Sequence, residues 1–221
     1  GVIYDDAGHV ITNYHVVGSY IDDPVRFAIR VRNHAGEHPA RLIRFDLEND
    51  LALLRADGIK ARPLTLARQP PEPGENIVAF GNPEGLGLSL IEGISNGFAA
   101  KGVVDRMLLS MPLNSGMSGG PILNSRDQVV GTNVSVQWLS NSLSFGVPTE
   151  ALRELLTRAP LDIRKAALQA EMNRQIDPGV DRFKAKAEDE QDEFKNALGA
   201  FVRLYAFLSQ LNQTHGHIIT I

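Results

Sequence analysis

Residues 114–121 read NSGMSGGP, with three glycines and two serines in eight positions. A Gly/Ser cluster between apolar segments is ordinarily a loop. Its composition also suits the surroundings of a reactive serine. Gly116 can adopt backbone angles that turn N–H groups inward. Gly119 and Gly120 leave room beside Ser118, and Pro121 leads into the apolar run Ile122-Leu123. A serine nucleophile needs a base to take its proton, an acid to orient the base, and N–H groups to receive the oxyanion. The meaning of the loop therefore depends on what the chain offers elsewhere.

Two segments offer the missing parts. His15 lies in VITNYHVV (10–17), which reads as a strand that presents the histidine at its end. Asp50 lies in ENDLALLR (48–55), at the mouth of the apolar run Leu51-Ala52-Leu53-Leu54. A carboxylate there is poised to accept from an imidazole N–H. Each residue alone also fits a plain structural role: a surface histidine, an aspartate in a turn, a flexible serine loop. Together they stand in the order His, Asp, Ser, each at the edge of a strand.

The chain around them changes character once. Up to Pro148, short β-rich runs recur between turn signals, the pattern of a sandwich or barrel. RQPPEPGE (68–75) is a loop between strands. TEALRELLTRA (149–159) reads as a helix with Thr149 as N-cap and Glu150 in its first turn. Beyond it the chain reads as helical and charged, with Phe194, Leu198, Phe201, Tyr205 and Leu208 forming one stripe at helical spacing. The expected division is a β domain over 1–158 and a helical extension over 159–221.

The chain resembles trypsin-like serine proteases, and within them the HtrA branch. The resemblance rests on GHVITNYHVV, NDLALL, GNPEGLG, IEGISNG, NSGMSGGPILN, QVVGTNVS and FGVPTEALREL, in the family's order over about residues 1–158. It implies a mainly β fold, a double β-barrel with the active site between barrels. It implies an endopeptidase working through an acyl-enzyme. His15 would be general base and acid, Asp50 would orient it, and Ser118 would be the nucleophile. The amides of Gly116 and Ser118 would bind the oxyanion.

Met117 stands where many zymogen-derived relatives carry an aspartate that pairs with a newly cut N-terminus, so that switch is not expected. Loops 81–97 and 112–117 would set activity instead. Pro112 occupies the position that is acidic in trypsin-type specificity. A pocket rim of Asn114, Thr132, Asn133, Val134 and Phe145 would prefer small or medium apolar side chains over Lys or Arg.

Two features depart from the family pattern. The chain opens on Gly1-Val2-Ile3-Tyr4, already strand-like, where a further strand usually precedes; the first barrel is expected to be incomplete. The last 60 or so residues do not resemble the PDZ domain that often follows. The run DRFKAKAEDEQDEFKNALGAFVRLYAFLSQ (181–210) is instead similar to a helical stretch in the restriction subunit of type I restriction enzymes.

Bulk properties narrow the alternatives. The chain has 221 residues, a formal net charge of −4 and no basic stripe, which disfavours phosphate-neutralising nucleic-acid binding. It has no cysteine, so thiolate catalysis, disulfides and cysteine-ligated zinc are excluded. No apolar run reaches the ~18–20 residues of a membrane span. No metal or cofactor is expected: His215 and His217 have no third ligand nearby, and GLGLSLIEG does not join a strand to a helix start. Polypeptides are the expected substrates, with a protein partner or self-association through the helical tail. The compartment is not legible. A protease-like binding module without turnover, or a protease docked on a larger complex, remain open alternatives.

Overall fold

The computed structural model describes residues 1–101, 104–134, 144–162, 164, 167–176 and 219–220. The stripe Phe194–Leu208, the run resembling the restriction subunit, and His215 and His217 lie outside the described residues.

The fold is mainly β, with two sheets built in succession. The first contains β1 (Val2–Ile3), β2 (His9–Thr12), β3 (Ile29–Asn33), β4 (Gly36–Asp46), β5 (Leu51–Ala56) and β12 (Ile219–Thr220). Its spatial order is β1-β2-β5-β4-β3-β12, and β12 runs parallel to β3. The second contains β6 (Asn76–Gly81), β7 (Ser89–Lys101), β8 (Val104–Ser110), β9 (Pro121–Asn124), β10 (Val129–Val134) and β11 (Ser144–Pro148). It closes into a barrel in the order β10-β11-β8-β7-β6-β9. The mainly β, trypsin-like arrangement expected is what the structure has, with the first sheet open and the second closed.

Three apolar clusters explain the sequence pattern. One packs on one face of the first sheet and includes Val10, Phe45, Ala52 and Leu54. One fills the second barrel and includes Ile77, Met107, Leu109, Met117 and Ile122. The third lies at the seam and joins Ile11, Leu51 and Leu53 to Val129, Val134 and Val147. Successive residues of a strand face opposite sides. Leu51 and Leu53 therefore enter the seam while Ala52 and Leu54 enter the first core. Burial on both faces is why LALL is a continuous apolar run rather than an alternating one.

Helix α2 (Thr149–Thr157) seals the seam with Ala151, Leu152 and Leu155. Its N-cap is Pro148, one residue before the expected Thr149, whose side chain is wholly buried. Burial of the threonine on the apolar face removes it from capping. The chain then crosses back to the first sheet. Leu161 N–H donates to Ile43 O (2.8 Å), and a helical segment over 167–176 places Leu168 and Met172 in the first core, 0% and 1% exposed. The start of the C-terminal extension thus packs as part of the first half.

The largest difference from expectation concerns His15. The strand ends at Thr12, and Tyr14–Asp22 form helix α1. The β-branched pair Val16-Val17 suggests a strand. Val17 and Ile21, four apart on a helix, both enter the first core, and this burial outweighs intrinsic preference.

Candidate active site

The site begins with a turn. At the end of β4, Asp46 accepts hydrogen bonds from the Asn49 N–H (3.0 Å) and side-chain amide (3.1 Å). Asp50 N–H donates to Leu47 O (3.2 Å), and Asp50 takes φ of 55°. That left-handed conformation is more accessible to Asp and Asn than to most residues. Asp50 O accepts from Tyr14 N–H (3.1 Å) and from the Asn13 side-chain amide (2.9 Å). These bonds lay the start of α1 across the turn.

The first turn of a helix has N–H groups without internal partners. Asn13 is the N-cap but makes no side-chain cap bond. The Asp50 carboxylate supplies it from elsewhere in the chain: Oδ1 accepts from His15 N–H at 3.0 Å. Oδ2 lies 2.7 Å from His15 Nδ1. One carboxylate therefore fixes both the backbone and the ring of His15. Burial pulls the His15 pKa down, but the Asp50 charge and hydrogen bond outweigh it and raise it. The imidazole keeps 35% of its side-chain surface, so desolvation is partial and the carboxylate decides the sign.

A second support comes from the other barrel. Arg106 on β8 donates through Nη2 to Glu48 O (2.9 Å) and through Nη1 to Asn49 Oδ1 (3.5 Å). Burial lowers its pKa, opposed by Asp50, Asp46 and Glu48. Nothing in the local sequence around Arg106 marks it, since its partners are 57 and 58 residues away.

The Ser118 loop is held from the second barrel and pressed against the first. Gly119 N–H donates to Asn133 O (3.0 Å), and Asn133 N–H donates to Gly120 O (2.8 Å). The Asn133 side-chain amide donates to Phe80 O (2.8 Å) and Met117 O (3.2 Å). Met117 is fully buried in the second core, so the residue before Ser118 anchors the loop by its side chain. Gly116 and Gly119 take φ of 89° and 77°. A Cβ on Gly119 would fall 2.2 Å from Thr12 Oγ1 and 2.9 Å from Asn13 N. The loop therefore touches the junction that leads into His15, and only glycine allows the approach.

The expected pocket residues separate into two groups. Asn114 is exposed and Phe145 half-buried. Thr132 and Asn133 have no exposed surface and Val134 has 6%. Asn133 acts as a brace for the loop, and Val134 faces the seam. Pro112 is exposed, and Phe145 pairs with Val134 across β10 and β11. Among the described residues, no group of three or more His, Asp or Glu could hold a metal.

The model of the trypsin-like peptidase domain matches residues 1–131. The chain belongs to the trypsin-like peptidase family. Its relatives are HtrA and Deg proteins. It is 31% identical over 163 residues to a probable periplasmic DegP-like serine endoprotease of Pseudomonas fluorescens, covering 70% of this chain and 33% of that protein. It is 29% identical over 177 residues to the serine endoprotease DegS of Haemophilus influenzae, covering 74% and 50%. Its fold is similar to the serine endoprotease of Yersinia pestis, with TM-score 0.60, 28% identity and coverage of 71% and 55%. The HtrA-type protease AlgW, solved with a decapeptide, gives TM-score 0.61 at 26% identity, covering 70% and 49%. Among the first-ranked curated relatives the chain spans between 33% and 54% of their length.

Proposed function

We propose that this protein is an HtrA-like serine endopeptidase in which His15, Asp50 and Ser118 form the catalytic triad. The observation that carries the reading is the double engagement of His15 by Asp50, at 3.0 Å on the backbone and 2.7 Å on the ring, at the Thr12-Asn13 junction against which the Ser118 loop packs. It leaves Nε2 as the ring nitrogen directed to chemistry. In the acylation step, Ser118 Oγ attacks the scissile carbonyl carbon while His15 Nε2 takes its proton. The imidazolium formed is stabilised by Asp50, and its proton passes to the leaving amine. Water then repeats the sequence on the acyl-enzyme. The Gly116 and Ser118 N–H groups receive the oxyanion.

Substrates are polypeptides, with a small or medium apolar side chain before the scissile bond. Support comes from the exposed Pro112, which brings no carboxylate, and from apolar Phe145. The test combines a fluorophosphonate probe with a peptide panel. Labelling at Ser118, lost in Ser118→Ala and reduced in His15→Ala, is expected. Faster cleavage after Val or Ala than after Lys or Arg is expected. A well-folded protein that recognises peptide but shows no label and no burst with an activated ester is a binding module instead.

A further inference from the structure

Arg44 on β4 is 4% exposed. Its Nε and Nη1 are buried and have no hydrogen-bond partner among the described residues. No carboxylate pairs with it there either. An uncompensated buried guanidinium is costly, which is why buried charges are normally paired. Arg44 lines a cavity of about 450 Å³ between β4 and the returning chain, with Arg158, Glu171, Arg174 and Gln175 among the other walls.

The charges of this cavity do not cancel. Arg158 Nη1 pairs with Asp46 Oδ2 at 2.9 Å, and Asp46 is itself used by Asn49. Arg174 pairs with Glu171. Those two arginines and two carboxylates are matched, and the charge of Arg44 is left over. Burial lowers the Arg44 pKa and the Arg158 charge lowers it further, with Tyr4 opposing; the two lowering effects are those expected of a buried cation beside another cation.

We propose that this cavity is an oxyanion site seated on Arg44, taking a carboxylate or phosphate group. A guanidinium is suited to either group by its planar fork of donors. Two sources share this chemistry. One is a free anion. The other is the acidic run Glu188-Asp189-Glu190-Gln191-Asp192-Glu193 of the same chain, which follows the cavity wall by only a dozen or so residues.

The experiment measures thermal unfolding of the full chain in sodium phosphate and in sodium chloride at matched ionic strength and pH. Four variants are compared with it: Arg44→Met, Arg174→Gln, a chain with Glu188, Asp189, Glu190, Asp192 and Glu193 changed to their amides, and that amide chain with Arg44→Met added. If the source is a free anion, phosphate raises the wild-type Tm in proportion to the logarithm of its concentration above Kd, by roughly 5–10 °C at about 100 times Kd, and Arg44→Met removes the response. If the source is the acidic run, wild type is indifferent, the amide variant responds, and adding Arg44→Met abolishes that response. Indifference of both wild type and the amide variant overturns the site. So does a response that Arg44→Met leaves intact. Should Arg44→Met fail to fold cooperatively, Arg174→Gln decides: a several-fold weaker phosphate Kd supports the site, and an unchanged Kd overturns it.

Discussion

At the residue scale, a histidine held twice by one aspartate is not by itself a catalytic signature. The structure contains a second such pair. His9 N–H donates to Asp5 Oδ1 at 3.0 Å, and His9 Nδ1 lies 2.6 Å from Asp5 Oδ2. That pair is four residues apart and closes the β1–β2 turn. The His15–Asp50 pair bridges 35 residues and lies where the Ser118 loop meets the first sheet. His9→Ala is therefore expected to be labelled by a fluorophosphonate at the wild-type rate. Asp50→Asn is expected to lower kcat by roughly 10⁴, because the amide cannot hold the same tautomer or balance the imidazolium.

The pH dependence has a definite sign. Asp50 favours charged His15 and raises its pKa above the ordinary 6.5. The proposed triad needs the neutral ring, so the acidic limb of kcat/KM should lie above that value and move down in Asp50→Asn. For stability the sense is opposite. The contribution of the pair is fully present below 6.5 and is lost as pH rises through the raised folded value. A kcat/KM profile of the two proteins checks the limb.

At the scale of elements, the 114–121 loop works because its glycines are contact points rather than hinges. A Cβ on Gly120 would meet Phe80 O at 2.0 Å, and one on Gly119 would meet Thr12 Oγ1. Gly119→Ala also meets a φ of 77° that alanine disfavours. It should destabilise by at least about 2 kcal/mol and separate the loop from the first sheet, lowering activity more than stability. Urea unfolding beside ester hydrolysis measures both. Asn133→Ala removes the side-chain donor shared by Phe80 O and Met117 O, while Met117 O keeps its bond from Gly120 N–H. A fall in kcat with KM little changed is expected, and a changed peptide preference without loss of kcat would assign Asn133 to the pocket instead.

The strands of both barrels were legible because turn residues bound short β-rich runs, as RQPPEPGE does before β6. Helix α1 was not, because Val16-Val17 carries a strand preference and only the first core rewards a helix there. Asn13 gives no sign in sequence that its amide reaches Asp50 O instead of capping its own helix. Arg106 and Gln175 were silent for the same reason: their partners are distant in the chain. Gln175 Oε1 accepts from Leu47 N–H (2.8 Å) and its Nε2 donates to Phe45 O (3.1 Å), beside the Asp50 turn.

At the scale of the molecule, the two halves share one apolar seam, and residues beyond α2 complete the first core. Leu168 and Met172 are as buried as any residue of the sheet they cover. Leu168→Ala should cost about 2–5 kcal/mol, lower the midpoint of the whole transition and leave the second barrel no more stable than the first. An unchanged midpoint would mean that the 167–176 segment rests on the surface. The expected boundary at residue 158 marks a change of composition, while packing continues across it to residue 176.

The sequence by itself determined the mainly β, two-barrel fold and singled out His15, Asp50 and Ser118 as the proposed triad. Those features are local: each depends on a short run of residue types at fixed spacing. The tertiary structure decided that His15 rides on a helix, that Asp50 both caps that helix and orients its ring, and that Met117 anchors the serine loop. It also decided that Asn133 braces that loop and that Arg44 is buried with no carboxylate paired to it among the described residues. These are matters of which groups meet across 16 to 130 residues of chain. Burial and hydrogen-bond satisfaction select such meetings, and neither is written in any single stretch.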